Sequence, residues 1–472
     1  MTFYIRNARN EAGHVIDIAV RSGLIDDIGP GLGGPGPGGF GLSGRGDELD
    51  ARGALALPGI HDHHIHILAT AARRASVDLS GLLDAAAVRD ALRAAALGRP
   101  SDQWIRAVAY DERASGLPDR GLLDQWVGEQ PVRLQDRTGA LWVLNSAGLR
   151  LLDGLRFPPG CERDGDGRPN GRFWREDRWL REALGGDGPD VTALAMALAR
   201  FGVTGLTDAS ATNGAEAAAT LSAARRSRAL PQRLVLMGDE SLPAGDDYLV
   251  GPLKIMIDER APPEVEEISQ RIRSARRLGR PVAAHCVTDG ELALCLAALE
   301  DAGGARDGDR IEHGAMIPEH AIAAIAALRL AVVANPVFVH DRGDRYRAEI
   351  AAPAWSDVCR LASLDRAGVL LGAGSDAPYG NIDPWLAMRA ARDRVTAAGQ
   401  IFGAPEAIAA RTALRLFLKD GAAVAGPERQ LAKGAAADII LCRGGARDVL
   451  TDLSPDRVEA TIIGGVVVYA RR

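Results

Sequence analysis

Short apolar runs recur along this chain, each ending in polar or charged residues, and stretches of helical character separate them. Eight such runs can be followed: Leu57 to His66, Gly202 to Asp208, Arg233 to Met237, Pro252 to Asp258, Val282 to His285, Arg310 to His313, Ala331 to Asn335 and Val369 to Asp376. Helical segments such as Pro263 to Leu278, Asp289 to Ala302 and Glu319 to Ala327 lie between them. Strands that alternate with helices build a parallel sheet, and eight repeats close it into a barrel. The pattern therefore predicts an α/β fold, a TIM-type (β/α)8 barrel over residues 55–429.

The two ends are β-like instead. Asp17-Ile18-Ala19-Val20 and Gly23-Leu24-Ile25 flank a Ser22-Gly23 turn signal, and Val458 to Ile463 and Val466 to Tyr469 flank Gly464-Gly465. Residues 1–54 and 430–472 are expected to share one small β-sandwich domain. Pro30 to Gly46, dense in Gly and Pro, reads as an exposed loop. Residues 70–190 form an insertion after the first barrel strand. They hold Trp104, Trp126, Trp142, Trp174 and Trp179 and an Asp164-Gly165-Asp166-Gly167 turn, which suggests a folded cap.

Composition narrows the partners. A chain of 472 residues with 47% hydrophobic and 25% charged residues is an ordinary globular protein, and a net charge of -6 argues against a nucleic-acid partner. No apolar run approaches a membrane span and the N-terminus lacks a signal pattern, so a cytoplasmic protein with no membrane partner is expected. Cys161, Cys286, Cys295, Cys359 and Cys442 are scattered and odd in number, which argues against a disulfide framework. The partner expected is a small-molecule substrate, and a homodimer is compatible with the sequence.

The chemistry concentrates at strand ends. Four of the nine histidines fall within Leu57 to His66, and alternation along a strand puts Asp62, His64 and His66 on one face with His61 and His63 on the other. His64 and His66 can thus grip one borderline ion such as zinc. His285, His313, Lys254 and Asp376 also end predicted strands, and barrel strands collect functional groups at that end. Each alone has an ordinary explanation, but burying six such groups at one mouth without metal or mutual pairing is costly. Lys254 is one of only three lysines among 56 basic residues and sits in an apolar strand. It must pair with Asp258 or Asp208, or lose its charge. A neutral amine can react with carbon dioxide to give a carbamate, an anionic ligand able to bridge two cations, which arginine cannot do.

These pieces resemble the metal-dependent amidohydrolase superfamily, and within it the third amidohydrolase family. The matching segments are Leu57-Pro58-Gly59 with Asp62, His64 and His66, Leu253-Lys254-Ile255 with Asp258, Ala284-His285 with Asp289, Arg310-Ile311-Glu312-His313, and Gly374-Ser375-Asp376-Ala377-Pro378 with Asp383-Pro384. The resemblance implies two divalent metal ions, most simply Zn2+. His64, His66 and Asp376 would hold one, His285 and His313 the other, with carbamylated Lys254 between them. It implies attack on a carbonyl by a metal-bridging hydroxide, with Asp376 as the catalytic proton acceptor and Asp62 orienting a histidine. The chain departs from the family at Ala140, where a histidine is common, at Asn335, where glutamine is usual, and at Ala377, where tryptophan is usual.

The leading expectation is a hydrolase of an amide, cyclic amide, carbamate or related C-N bond. A mononuclear-metal deaminase of a heterocycle, a lactonase or esterase on the same site, and a non-catalytic barrel are the alternatives. Arg137, Trp142, Asn335 and His340 are candidate substrate contacts. Specificity is expected in the cap and in the Phe338 to Tyr346 segment, where Arg342 and Arg345, like Arg137, could each clamp a carboxylate or simply be surface arginines.

Overall fold

Gly59 splits the first apolar run into two strands. Leu55–Pro58 runs antiparallel to Ile439–Cys442, whereas Ile60–Ile65 (β1) opens a separate parallel sheet. A Cβ at position 59 would lie 2.2 Å from the Thr204 side chain, so glycine is what lets the backbone pass this neighbour. The computed structural model in which this is seen describes residues 2–32, 48–185, 188–259 and 261–471. Of the stretch read as an exposed loop, residues 33–46 lie outside them.

The parallel sheet continues through Val203–Asp208 (β2), Arg233–Gly238 (β3), Leu249–Ile255 (β4), Val282–Cys286 (β5), Arg310–His313 (β6), Ala331–Ala334 (β7) and Leu370–Ala373 (β8), hydrogen-bonded in that order. Its two edges meet at their C-terminal ends. Asp376 N–H donates to the His64 carbonyl at 2.7 Å and His66 N–H to the Ala377 carbonyl at 2.8 Å, which joins the segment after β8 to β1. Thr192–Arg200 (α1) precedes β2, and Ala215–Arg226 (α2), Val265–Arg277 (α3), Asp289–Asp301 (α4), Glu319–Ala327 (α5), Val337–Glu349 (α6), Ala362–Arg366 (α7) and Pro384–Asp393 (α8) follow. Their starts are written locally. Thr288 and Glu291 form a reciprocal cap on α4, and Asp383 caps α8 with Pro384 in its first turn.

Strands from both termini form one eight-stranded sheet, and Ile5, Ile18, Ile25, Ile439 and Ile462 share its core. By its contacts the chain divides into two units, Met1–Ile67 with Val191–Arg472, and Leu68–Asp190. The second is built on a six-stranded sheet, with Leu92, Leu123, Leu134 and Val143 in its main core and Trp142, Phe173 and Leu180 in a smaller one. No helix among the described residues is long and apolar enough to cross a membrane.

Candidate metal centre

Every strand-end residue singled out in the barrel sequence sits at the C-terminal mouth. His64 is the penultimate residue of β1, Lys254 of β4 and His285 of β5, while His313 ends β6. Asp376 lies three residues past β8, so the expected strand stops short of it. Its Oδ1 is 3.3 Å from His64 Nε2 and 3.2 Å from His66 Nε2, and its Oδ2 is 3.9 Å from His313 Nδ1. The His313 ring centroid is 4.6 Å from that of His64 and 4.6 Å from that of His285. One ligand-type atom from each of His64, His313 and Asp376 falls within a span of 4.8 Å.

Backbone conformation assembles this cluster. Alternation on β6 aims Arg310 and Glu312 into the barrel and would send His313 outward. A φ of +67° at His313 turns it back, and Asp376 has φ +53°. Such left-handed conformations are costly for residues other than glycine and cluster at functional sites.

A surrounding layer fixes each imidazole. His64 Nδ1–H donates to the Glu312 carboxylate, which also accepts from Arg310 Nε, and Arg310 donates onward to the His63 carbonyl at 3.1 Å. His64 Nε2 is therefore left with its lone pair facing the cluster. Asn335 Nδ2 donates to the Gly374 carbonyl at 3.0 Å, which orients its amide so that Oδ1 accepts from His313 Nδ1 at 2.7 Å. His66 Nδ1 meets Ser210 Oγ at 2.9 Å. Asp62 was expected to orient a histidine ring, but its Oδ1 takes the backbone N–H groups of His64 at 3.1 Å and Ser375 at 3.0 Å. It ties β1 to the segment after β8, and burial pushes its carboxyl up to about 6. Glu312 holds the ring instead.

Burial keeps two of the imidazoles neutral. Burial, with Lys254 and His64 nearby, pushes His285 down to about 4, and burial holds His313 well below the usual imidazole range. For Asp376 burial opposes ionisation, but His313, His64 and His66 outweigh it and hold the carboxyl well below its ordinary range. Lys254 is 1% exposed, its Nζ has no hydrogen-bond partner, and burial lowers its pKa. Asp208, one expected partner, instead accepts from Ile67 N, Ser210 N and Asn213 Nδ2. Lys254 Nζ is buried without a hydrogen-bond partner and the His64 Nε2 lone pair faces an Asp376 oxygen at 3.3 Å, two acceptors that a cation would satisfy, and a divalent cation with its ligands fits this donor set.

The other candidates separate. Asn335 donates to the Gly374 carbonyl and accepts from His313, so it positions His313. His340 lies on α6 with Nδ1 2.9 Å from Asp341 Oδ1. Arg137 and Trp142 belong to the unit Leu68–Asp190, where Trp142 is buried with Nε1–H on Asp177 at 2.6 Å and Arg137 pairs with Glu112 at 3.0 Å. Glu312 and Ser210 were given no role from sequence. Glu312 was the more legible, an acid flanked by Arg310 and His313 on a barrel strand.

Glu312→Gln is expected to weaken metal binding ~10–100-fold, because a neutral amide no longer fixes the His64 tautomer. Titration of the chelated protein with zinc reads this directly. Unfolding should also shift, since Arg310 is left as an uncompensated buried cation at a cost of about 3–5 kcal/mol.

Known proteins resemble this chain over most of its length. N-substituted formamide deformylase from Arthrobacter pascens is 26% identical over 504 residues, covering 90% of this chain and 90% of that protein. YtcJ of Bacillus subtilis (strain 168) is 23% identical over 498 residues, covering 90% of this chain and 91% of that one. An uncharacterized metal-dependent hydrolase from Pyrococcus horikoshii OT3 has the same fold, with TM-score 0.76 at 18% identity over 94% of this chain and 98% of the other. The sequence pattern that defines the amidohydrolase family matches residues 47–469, from the terminal sheet through the whole barrel and back, so this chain belongs to the amidohydrolase family.

Proposed function

We infer that this chain hydrolyses a C-N bond of a small-molecule amide, cyclic amide or carbamate at a centre of two divalent ions, most simply zinc. His64, His66 and Asp376 would hold one ion, His285 and His313 the other, and Lys254, as its carbamate, would lie between them. Such ions, when bound, lower the pKa of water and spread oxyanion charge. The chain's own residues do the rest. Glu312 and Asn335 keep His64 and His313 as lone-pair donors on the cluster side. Asp376, ionised and against His64 and His66, can take the proton of the attacking water on a carboxylate oxygen and return it to the departing nitrogen. Likeness to N-substituted formamide deformylase supports nitrogen as the leaving atom.

One observation carries the two-ion reading: the Lys254 amine is buried among ligand-type residues without a hydrogen-bond partner, and burial lowers its pKa although Glu312 and Asp376 favour its charge, so loss of the proton or a new ligand would relieve it. The trio His64, His313 and Asp376 alone would serve a single ion, as the deaminase reading needs. Elemental analysis of protein expressed with zinc and bicarbonate decides between them. A metal-to-protein ratio of about two is expected, and about one favours the deaminase. Chelation should remove turnover of amide substrates and zinc should restore it, whereas activity that survives complete metal removal overturns both.

A further inference from the structure

The three arginines that could clamp a carboxylate are no longer equivalent. Arg137 pairs with Glu112 at 3.0 Å and Arg345 with Glu349 at 3.1 Å. Among the described residues Arg342 has no carboxylate partner. Its guanidinium lies 3.7 Å from the centre of the Phe338 ring, one turn earlier on α6, and Nη2 donates to the Tyr379 carbonyl at 3.0 Å. The Tyr346 side chain also lies against it. All are neutral, so they aim the charge without cancelling it.

The Tyr379 carbonyl ties that charge to the loop that carries Asp376. Tyr379 N–H donates to the Asp376 carbonyl at 2.8 Å, and its ring stands edge-on to His66 with centroids 5.7 Å apart. The ring is on a residue that is 62% exposed. A second tie, Asn381 N–H to Asp341 Oδ2 at 3.0 Å, binds the same loop to α6. The loop that presents Asp376 therefore presents an aromatic ring beside His66 and holds the Arg342 cation of α6 through a backbone carbonyl.

We propose that Arg342 recognises a carboxylate on the substrate, so that this site takes anionic amides of the N-acyl amino acid class, with Tyr379 against the substrate body. This rests on the hydrolase reading. A guanidinium held by stacking offers a carboxylate a planar fork with little further ordering, and charge-assisted pairs of this kind are the strong ones.

The test compares N-formyl and N-acetyl amino acids with the same compounds capped as carboxamides, on the metal-loaded wild type, Arg342→Met and Arg342→Lys. Steady-state kinetics is paired with calorimetric binding, and thermal unfolding shows whether each variant is folded. In wild type the carboxylate should be preferred about 10- to 100-fold, mainly through KM. The preference should collapse in R342M and fall between in R342K, which keeps the charge and loses the fork. Equal use of both members by wild type, or a preference that survives in R342M, overturns the proposal. Binding keeps the two readings apart. Carboxylate-selective binding lost in R342M, without turnover, supports the anion site and counts against the hydrolase; turnover without selectivity does the reverse.

Discussion

Replacing Lys254 with methionine should make the metal-free protein more stable and remove about 10³-fold or more of its activity, two effects of opposite sign from one substitution. The stability gain follows from burial. Lys254 is 1% exposed, its Nζ has no hydrogen-bond partner, and Leu253 and Ile255 on either side are buried. Leaving such a group unsatisfied costs about 1–3 kcal/mol, and methionine of similar length fills the space without it. The loss of activity follows from the position. Lys254 interacts with Glu312 and Asp376 and lowers His285, so it stands among the candidate ligands of both ions. No side chain other than a lysine amine can become a carbamate there. Denaturant unfolding in chelator, metal content after zinc loading and amide turnover together form the test. A K254M protein that is less stable without metal, or that keeps two ions and full turnover, would show that the amine has another role.

The barrel was legible because its strands and helices alternate in a strict local pattern. Arg310–His313 and Glu319–Ala327 fall where periodicity put them, and Val282 and Leu370 start their strands within a residue of expectation. The ligand-type residues were legible too, since imidazoles and a lysine at the ends of apolar strands have few other uses. What could not be read was which residue holds which. His64 and Glu312 are 248 positions apart, and only closure of the barrel makes them partners. Alternation also fails where the backbone turns left-handed, so neither the inward swing of His313 nor the placing of Asp376 beyond β8 follows from a period of two. The family resemblance implied that Asp62 orients a histidine, and alternation put it on one strand face with His64 and His66. Its oxygen went to two backbone N–H groups, a need that no sequence pattern announces.

Asp376→Asn should lower kcat ~10²–10⁴-fold with little change in fold, because the residue has two separable jobs. Its backbone closes the barrel: the N–H donates to the His64 carbonyl at 2.7 Å and the carbonyl accepts from Tyr379 at 2.8 Å. Asparagine keeps both bonds and tolerates the φ of +53°, whereas a β-branched residue there would add strain. The side chain would do the chemistry. Held ionised against burial by His313, His64 and His66, the carboxylate stays a proton acceptor as pH falls through the range where an ordinary aspartate titrates. Its protonation therefore cannot cause any loss of kcat above that range. An acid limb seen nearer neutrality must come from protonation of ligands, of which His64, raised by Glu312 and Asp376 against burial and Lys254, is the first to compete with metal. That limb should move to lower pH with added zinc in the wild type. D376N can still offer a carbonyl oxygen to an ion but cannot carry a proton, so zinc should restore its metal content and leave kcat low. Recovery of kcat together with metal content would reduce Asp376 to a ligand and place the proton transfer on another group.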